Sequence, residues 1–288
     1  MSRARWQIRH RTAYTYQAPA RESFNEVRLK PPSNECQSVE SFVLTTTPAA
    51  PVRQYRDFYF NCVHHFEIPS PHASLLIESR AVVLAHPPPP LSSEATPAPL
   101  AALPDFVRSN DYVDYLGPSR FVDIEPETWR LAVDATVGIA DAWQAAQALM
   151  RFVHGHLAYA PASTHVHTPL RQALAQRRGV CQDFAHVMLG LCRALKMPAR
   201  YVSGYLAVER ARATHAWVEL WIPTIGWLPL DPTHNRQIDE TYIKIGAGRD
   251  YADVAPVAGS YKGTLQRKLE VEVQIEPIAP NAGEPWQA

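Results

Sequence analysis

The chain has 288 residues, 46% of them apolar, and equal numbers of basic and acidic side chains, so its formal net charge is zero. That length suits about two domains, and the charge balance offers no field to draw in nucleic acid or an anionic membrane. No stretch approaches the ~20 consecutive apolar residues that a spanning helix needs.

The N-terminus runs from Met1 to Trp6 into alternating strand-like sequence without an apolar targeting segment, which sets the expectation of a cytoplasmic protein. The four cysteines, Cys36, Cys62, Cys181 and Cys192, show neither C-x-x-C pairing nor a small disulfide framework. Free thiols in a reducing compartment fit that pattern. Residues 1–86 read as β-structure. Trp6–Thr12 alternates in part, Phe42–Thr47 is rich in β-branched residues, and Leu75–Leu84 is a long apolar run. A small β-sandwich or curled sheet is expected. Prolines from Pro87 to Pro90, followed by Ser, Thr and Pro, then mark residues 87–104 as a linker.

The remainder, 105–288, reads as one catalytic-type domain. A helix is expected from Glu127 to Val137 behind Pro126, a stronger one over Ala142–His154 behind Asp141 as cap, and a short one opened by Thr168 and Pro169. After Cys181, the residues Phe184, Val187, Met188, Leu191 and Leu195 fall at helical spacing, widened by Ala185, Leu189 and Cys192. A helix apolar over so much of its surface is a buried one, and it must stop before Pro198. Arg200–Leu206, His215–Ile222, Trp227–Asp231 and Leu269–Ile275 read as strands. Helices followed by strands make this half α+β.

A thiol attacks an acyl carbon well only as the anion. A helix N-terminus beneath the sulfur favours that form, and an imidazole can take the proton. Cys181 begins the buried helix, where backbone N–H groups could also receive an oxyanion. In the strand from His215, alternation sets His215, Trp217, Glu219 and Trp221 on one face and Ala216, Val218, Leu220 and Ile222 on the other. Asp231 ends the next strand and can orient the imidazole. This works only if the two strands pair with an even sum of residue numbers; the simplest choice sets Trp221 opposite Trp227 and brings Asp231 diagonal to His215.

The segments Gly179–His186, Pro198–Tyr205, Thr214–Glu219, Gly226–Thr233 and Gly248–Val254 resemble the bacterial transglutaminase-like proteins. The resemblance extends before the linker through Tyr14, Arg28, Leu29, Pro31, Gln37, Asp57 and Asn61, with Phe60 standing where related sequences usually carry glycine. It implies a papain-like core and a Cys–His–Asp triad at Cys181, His215 and Asp231, preceded by a β-rich, sandwich-like domain. Arg249, Asp250 and Asp253 sit in a loop-like stretch too charged to be core, and the resemblance implies that they matter without saying how.

The expected chemistry is acyl transfer from an amide of a peptide or protein through a Cys181 thioester. Hydrolysis is favoured over protein-glutamine γ-glutamyltransferase crosslinking, because no amine-guiding site is visible. A non-catalytic binding module on the same fold is the third reading; its mark would be a missing triad residue. Tyr159, Gln182 and Trp217 are candidate substrate contacts, Tyr159 and Trp217 as walls of the cleft. His154, His156, His165 and His167 cluster loosely, but without H-E-x-x-H or paired cysteines no metal is expected. No EF-hand-like acidic loop suggests calcium, no cofactor is indicated, and the oligomeric state is not written in the sequence. His186 reads as a hydrogen-bonded core residue, His234 as a surface one, and Asp183 as a residue favouring the helix N-terminus.

Overall fold

A computed structural model describes residues 3–88, 98–107, 112–207, 213–223, 225–264 and 266–279. The first region is built on one strand, β1, of 24 residues from Ala4 to Val27. Its inward side chains are the even-numbered Ile8, His10, Thr12, Tyr14 and Tyr16, then the odd-numbered Ser23, Asn25 and Val27. The parity changes because pairing is irregular between Thr15 and Phe24, and an extra residue turns every later side chain over. Strands β2 (Gln37–Thr47), β3 (Arg53–Arg56), β4 (Cys62–Ile68) and β5 (His72–Ala85) complete the order β2-β5-β1-β4-β3. β1 runs beside β5 in its first half and beside β4 in its second, so the β-rich region is one curled sheet around Ile8, Val27, Phe66, Leu75 and Ile77.

The linker expectation covers two different things. Residues 89–97 lie outside the described residues. Residues 98–104, by contrast, are part of the second core: Pro99 bridges Asp141, and Leu103, which opens α1 (Leu103–Val107), is fully buried. Helices α2 (Pro126–Ala135) and α3 (Ala142–His156) follow as expected, the latter with Asp141 accepting from the Gln144 N–H at 2.9 Å. Strand β6 (Ala158–Tyr159) pairs in parallel with β7 (Arg178–Gly179), and α4 (Leu170–Gln176) lies between them. Pro169, not Thr168, occupies the cap of α4; the buried Thr168 hydroxyl instead accepts from the His165 N–H. Helix α5 (Cys181–Ala194) is buried along nearly its whole length.

The second sheet has the antiparallel order β11-β10-β9-β8-β12, from β8 (Ala199–Leu206), β9 (His215–Ile222), β10 (Gly226–Asp231), β11 (Arg236–Gln237) and β12 (Tyr242–Gly248). Ala216, Val218, Leu220 and Ile222 of β9 pack into the helical core with Leu149, Phe184, Val187 and Leu191. The opposite face carries Trp217, Val202 and Tyr242. After a short helix α6 (Tyr251–Val254), β13 (Val257–Lys262) and β14 (Arg267–Pro277) leave the second sheet and pair with β1. The division at residue 105 therefore fails for the last two strands, which are continuous in sequence with the second region but belong to the first sheet. Sequence proximity could not place them, because β1 offers its free edge to any strand with a matching period.

Amide side chains join the two regions. β12 is an edge strand with a bulge between Lys244 and Gly246. Gln37 donates to the Lys244 carbonyl (2.9 Å) and accepts its N–H (2.8 Å), and Asn61 does the same for Ala247 (2.9 and 2.8 Å). Each amide imitates one residue of a neighbouring strand and covers backbone groups that an open edge would leave unpaired. Asn61 is held by Asp57, whose carboxylate also accepts from the backbone N–H groups of Tyr59 and Asn61. This turn requires Phe60 at φ +63°, where its exposed side chain gains nothing. Phe60→Gly should relieve an αL penalty of ~1–2 kcal/mol at a glycine entropy cost of ~0.5–1. A net gain of up to about 1 kcal/mol in urea unfolding is expected; a clear loss would show that the ring matters there.

Candidate active site

Cys181 owes its position to a tight helix start. The Asp183 carboxylate reaches back to accept the Val180 N–H at 2.8 Å and the Thr164 hydroxyl at 2.6 Å, one half of a capping box. A Cβ on Gly179 would lie 2.5 Å from Asp183, so only glycine lets the chain pass here. Burial raises the Asp183 pKa against these hydrogen bonds. The N–H groups of Cys181 and Gln182 have no acceptor among the described residues, as expected in a first helical turn.

β9 and β10 pair Trp221 with Trp227 and Leu230 with Val218, the even register that carries Asp231 to the same side as His215. His215 Nε2 and Asp231 Oδ2 are 2.8 Å apart. Asp231 is fully buried, and the same oxygen accepts from the Tyr242 hydroxyl at 2.7 Å and lies 2.7 Å from His234 Nδ1, while Oδ1 accepts from the Thr233 N–H at 2.8 Å. Burial opposes the carboxylate, but these donors and the imidazolium outweigh it and hold Asp231 far below the usual carboxylate range. For His215, burial lowers the pKa, yet hydrogen bonds to Asp231 and Cys181, with their charges, raise it to about 9. Since Nε2 serves Asp231, Nδ1 is the nitrogen left for Cys181.

Cys181, His215 and Asp231 thus come together. Of the other singled-out residues, Tyr159 is exposed and close enough to Cys181 for the thiol's charge to help burial raise its pKa. Gln182 is buried and its amide donates to the Val166 carbonyl at 3.1 Å, so it secures a loop. Trp217 is not a cleft wall. It is fully buried, stacked on His215 at 6.3 Å and meeting Tyr242 edge-on at 5.5 Å. It supports the imidazole from behind, in space that exists because Gly204 carries no side chain. Strand parity placed Trp217 beside His215 correctly but could not tell a cleft from a second core.

His234 is at the surface, as expected, but the sequence does not announce its contact with the site: its ring nitrogen rests on Asp231. A hint lies in its spacing of three residues from Asp231 across a Pro–Thr turn. His215, Asp231 and His234 bring one potential ligand atom each within 4.8 Å of one another, the one such group among the described residues. Both imidazoles and Tyr242 already use Asp231 Oδ2, so a cation would have to displace them. The four clustered histidines disperse: His154 reaches the Thr233 carbonyl (3.1 Å), His156 stacks on Phe152, and His165 and His167 lie in the loop before α4.

Behind the site, His186 is fully buried, stacks on Phe121 and accepts the Tyr251 N–H at 3.3 Å; burial depresses its pKa to about 4, so it is neutral. Asp250, expected in a loop too charged for a core, is buried. It accepts the Phe121 N–H (2.8 Å) and the Ala252 N–H (2.8 Å), while Asp253 forms a two-point ion pair with Arg249 (2.9 and 3.1 Å). These residues fix α6 and the 119–121 segment against α5.

A helix N-terminal cysteine facing a strand-borne histidine and aspartate, on an α+β core, defines the papain-like class of thiol proteins. Within that class the chain belongs to the transglutaminase-like superfamily. The superfamily's sequence model matches residues 130–232, and that of the bacterial transglutaminase-like N-terminal region matches residues 6–84. An uncharacterised protein of Mycobacterium leprae, ML0607, is 37% identical over 95% of this chain and 100% of its own. A protein-glutamine γ-glutamyltransferase of Pseudomonas aeruginosa is 37% identical over 30% of this chain and 15% of its own. In structure, a candidate cysteine protease of Cytophaga hutchinsonii superposes with a TM-score of 0.76 at 20% identity, covering 100% of this chain and 95% of the other. No helix among the described residues is long and apolar enough to cross a membrane.

Proposed function

We propose that this protein is a thiol acyltransferase acting on amides of a peptide or protein, with water as its main acceptor. The observation that carries the reading is the placement of His215 between Asp231 and Cys181. Cys181 Sγ adds to the amide carbonyl, and the oxyanion is received by the free N–H groups of the first helical turn. The tetrahedral species collapses with cleavage of the C–N bond, and His215 delivers its proton to the departing amine. Water then gives His215 a proton as its oxygen attacks the thioester, releasing the acid and the thiol. Asp231 keeps the imidazole in the required tautomer throughout.

A primary amine in place of water would give a crosslink, a reading favoured by the γ-glutamyltransferase name of the P. aeruginosa relative. The four free cysteines suit the reducing cytoplasm as the site of action. All three expected residues being present weighs against a non-catalytic binding module.

The reading is tested by labelling and by product mass. Burial raises the pKa of Cys36 and Cys62, and that of Cys192 to about 12, whereas Cys181 lies beside an imidazolium. Brief treatment with iodoacetamide should modify Cys181 ahead of the other three cysteines. Labelling spread evenly over all of them would remove the activated nucleophile. Incubation of a glutamine peptide with and without a primary amine should then yield mainly the hydrolysed product; mainly the amine adduct would make the protein a crosslinker.

A further inference from the structure

A cleft of about 400 Å³ opens between the curled sheet and the core, lined among others by Tyr14, Asn25, Arg120, Tyr251, Tyr261 and Arg267. One wall comes from β1, β13 and β14; the other comes from the Arg120–Phe121 segment, α6 and the loop carrying Val166 and His167. That loop hangs on Gln182, the residue after Cys181. The cleft thus shares this loop with the residue that follows the thiol.

Its chemistry is one-sided. The Arg267 guanidinium lies over Tyr14 (5.2 Å) and Tyr261 (5.7 Å), and that of Arg120 over Phe121 (5.3 Å). Neither has a carboxylate partner among the described residues, and no Asp or Glu lines the cleft. Asp250, next to Tyr251, turns inward to backbone N–H groups and is 1% exposed. Asn25 is 7% exposed, and its Nδ2 has no acceptor among the described residues. A buried amide donor left unpaired costs ~1–3 kcal/mol. Two unpaired cations over aromatic faces, with a spare donor beneath, match carboxylates on a short chain, and the volume admits a segment of a few residues rather than a folded domain.

We propose that this cleft binds an acidic peptide segment of the amide substrate, holding it while a neighbouring residue is presented to Cys181. The proposal rests on the thiol reading above for the word substrate, but the binding stands apart from the chemistry. The full-length Cys181→Ala variant allows it to be measured without turnover. A fluorescent Glu-rich peptide and the same peptide with every Glu replaced by Gln are compared by anisotropy. The Glu peptide should bind at least about tenfold more tightly, with an advantage that shrinks as salt rises.

Arg120→Glu with Arg267→Glu should abolish the preference, and the paired Gln variants, which change no backbone contact, should reduce it. Equal binding of the two peptides, or a preference that survives in both double variants, overturns the proposal. So does displacement of the Glu peptide by free glutarate at matching concentration, which would assign the cleft to a small carboxylate. In the wild-type background, iodoacetamide labelling of Cys181 reports on the thiol reading alone, so either claim can fail without the other.

Discussion

Cys181→Ala is expected to lower peptide-amide turnover by at least ~10⁴-fold, and His215→Ala by a similar factor, because each removes a partner of a covalent step. Asp231→Asn should leave more activity, with a loss of ~10²–10⁴-fold, since it disturbs only orientation and tautomer. The pH profile separates these roles. His215 loses its proton at about pH 9, so the ability to protonate a leaving amine should decline as pH rises through that value. Removing the Asp231 charge should move this falling limb down by about 1–2 units, because an opposite charge in contact favours the imidazolium. An unmoved limb would detach Asp231 from the imidazole. The same raised pKa also contributes to stability: that contribution is full below the ordinary imidazole value of 6.5 and is lost as pH rises through about 9. Far-UV circular dichroism must therefore accompany the rates, so that loss of activity is not mistaken for loss of fold.

Arg193→Met is expected to be the most damaging substitution away from the thiol. The guanidinium is fully buried near the end of α5 and donates to the carbonyls of Ala199, Gly117 and Arg249 and to the Ser119 hydroxyl. Burial lowers its pKa to about 10 without neutralising it near pH 7. Methionine fills much of the space but leaves those acceptors unpaired, the Ala199 carbonyl in full burial and the others in part, at a cost of ~1–3 kcal/mol for each one that water does not reach. Urea unfolding should show the loss as a lower midpoint at unchanged slope. A midpoint within the error of the wild type would mean that the 117–119 segment and the 249 turn are held by other contacts.

The sequence carried the site further than the architecture. Cys181, His215 and Asp231 could be read because a buried helix, two short strands and the parity of their pairing leave few ways to arrange them, and Trp221 opposite Trp227 is one of those few. Burial was harder to read, since period-two alternation tells which residues share a face but not what covers that face. Alternation offers Trp217 as a cleft wall, and the charge of the 249–253 stretch offers Asp250 as a loop residue, yet both are buried. Side chains that act as backbone were out of reach as well. Gln37 and Asn61 looked merely characteristic in the sequence, and their meaning depends on the bulged edge of β12, more than 180 positions away.

The placement of β14 has a consequence for how the polypeptide is made. During synthesis, the first half of β1 can pair with β5 as soon as that strand emerges, but its other edge waits for residues 267–277. Everything that forms the helical core and the second sheet is translated in between. For that interval the nascent protein presents an unpaired strand with alternating apolar residues, open to any extended segment nearby. Closure of the curled sheet thus follows synthesis of the helical core and the second sheet, and it depends on the same late segment, β13 to β14, that supplies Tyr261 and Arg267 to the cleft. A ribosome-stalled chain ending before residue 267 would carry the thiol and its imidazole while β1 was still half exposed.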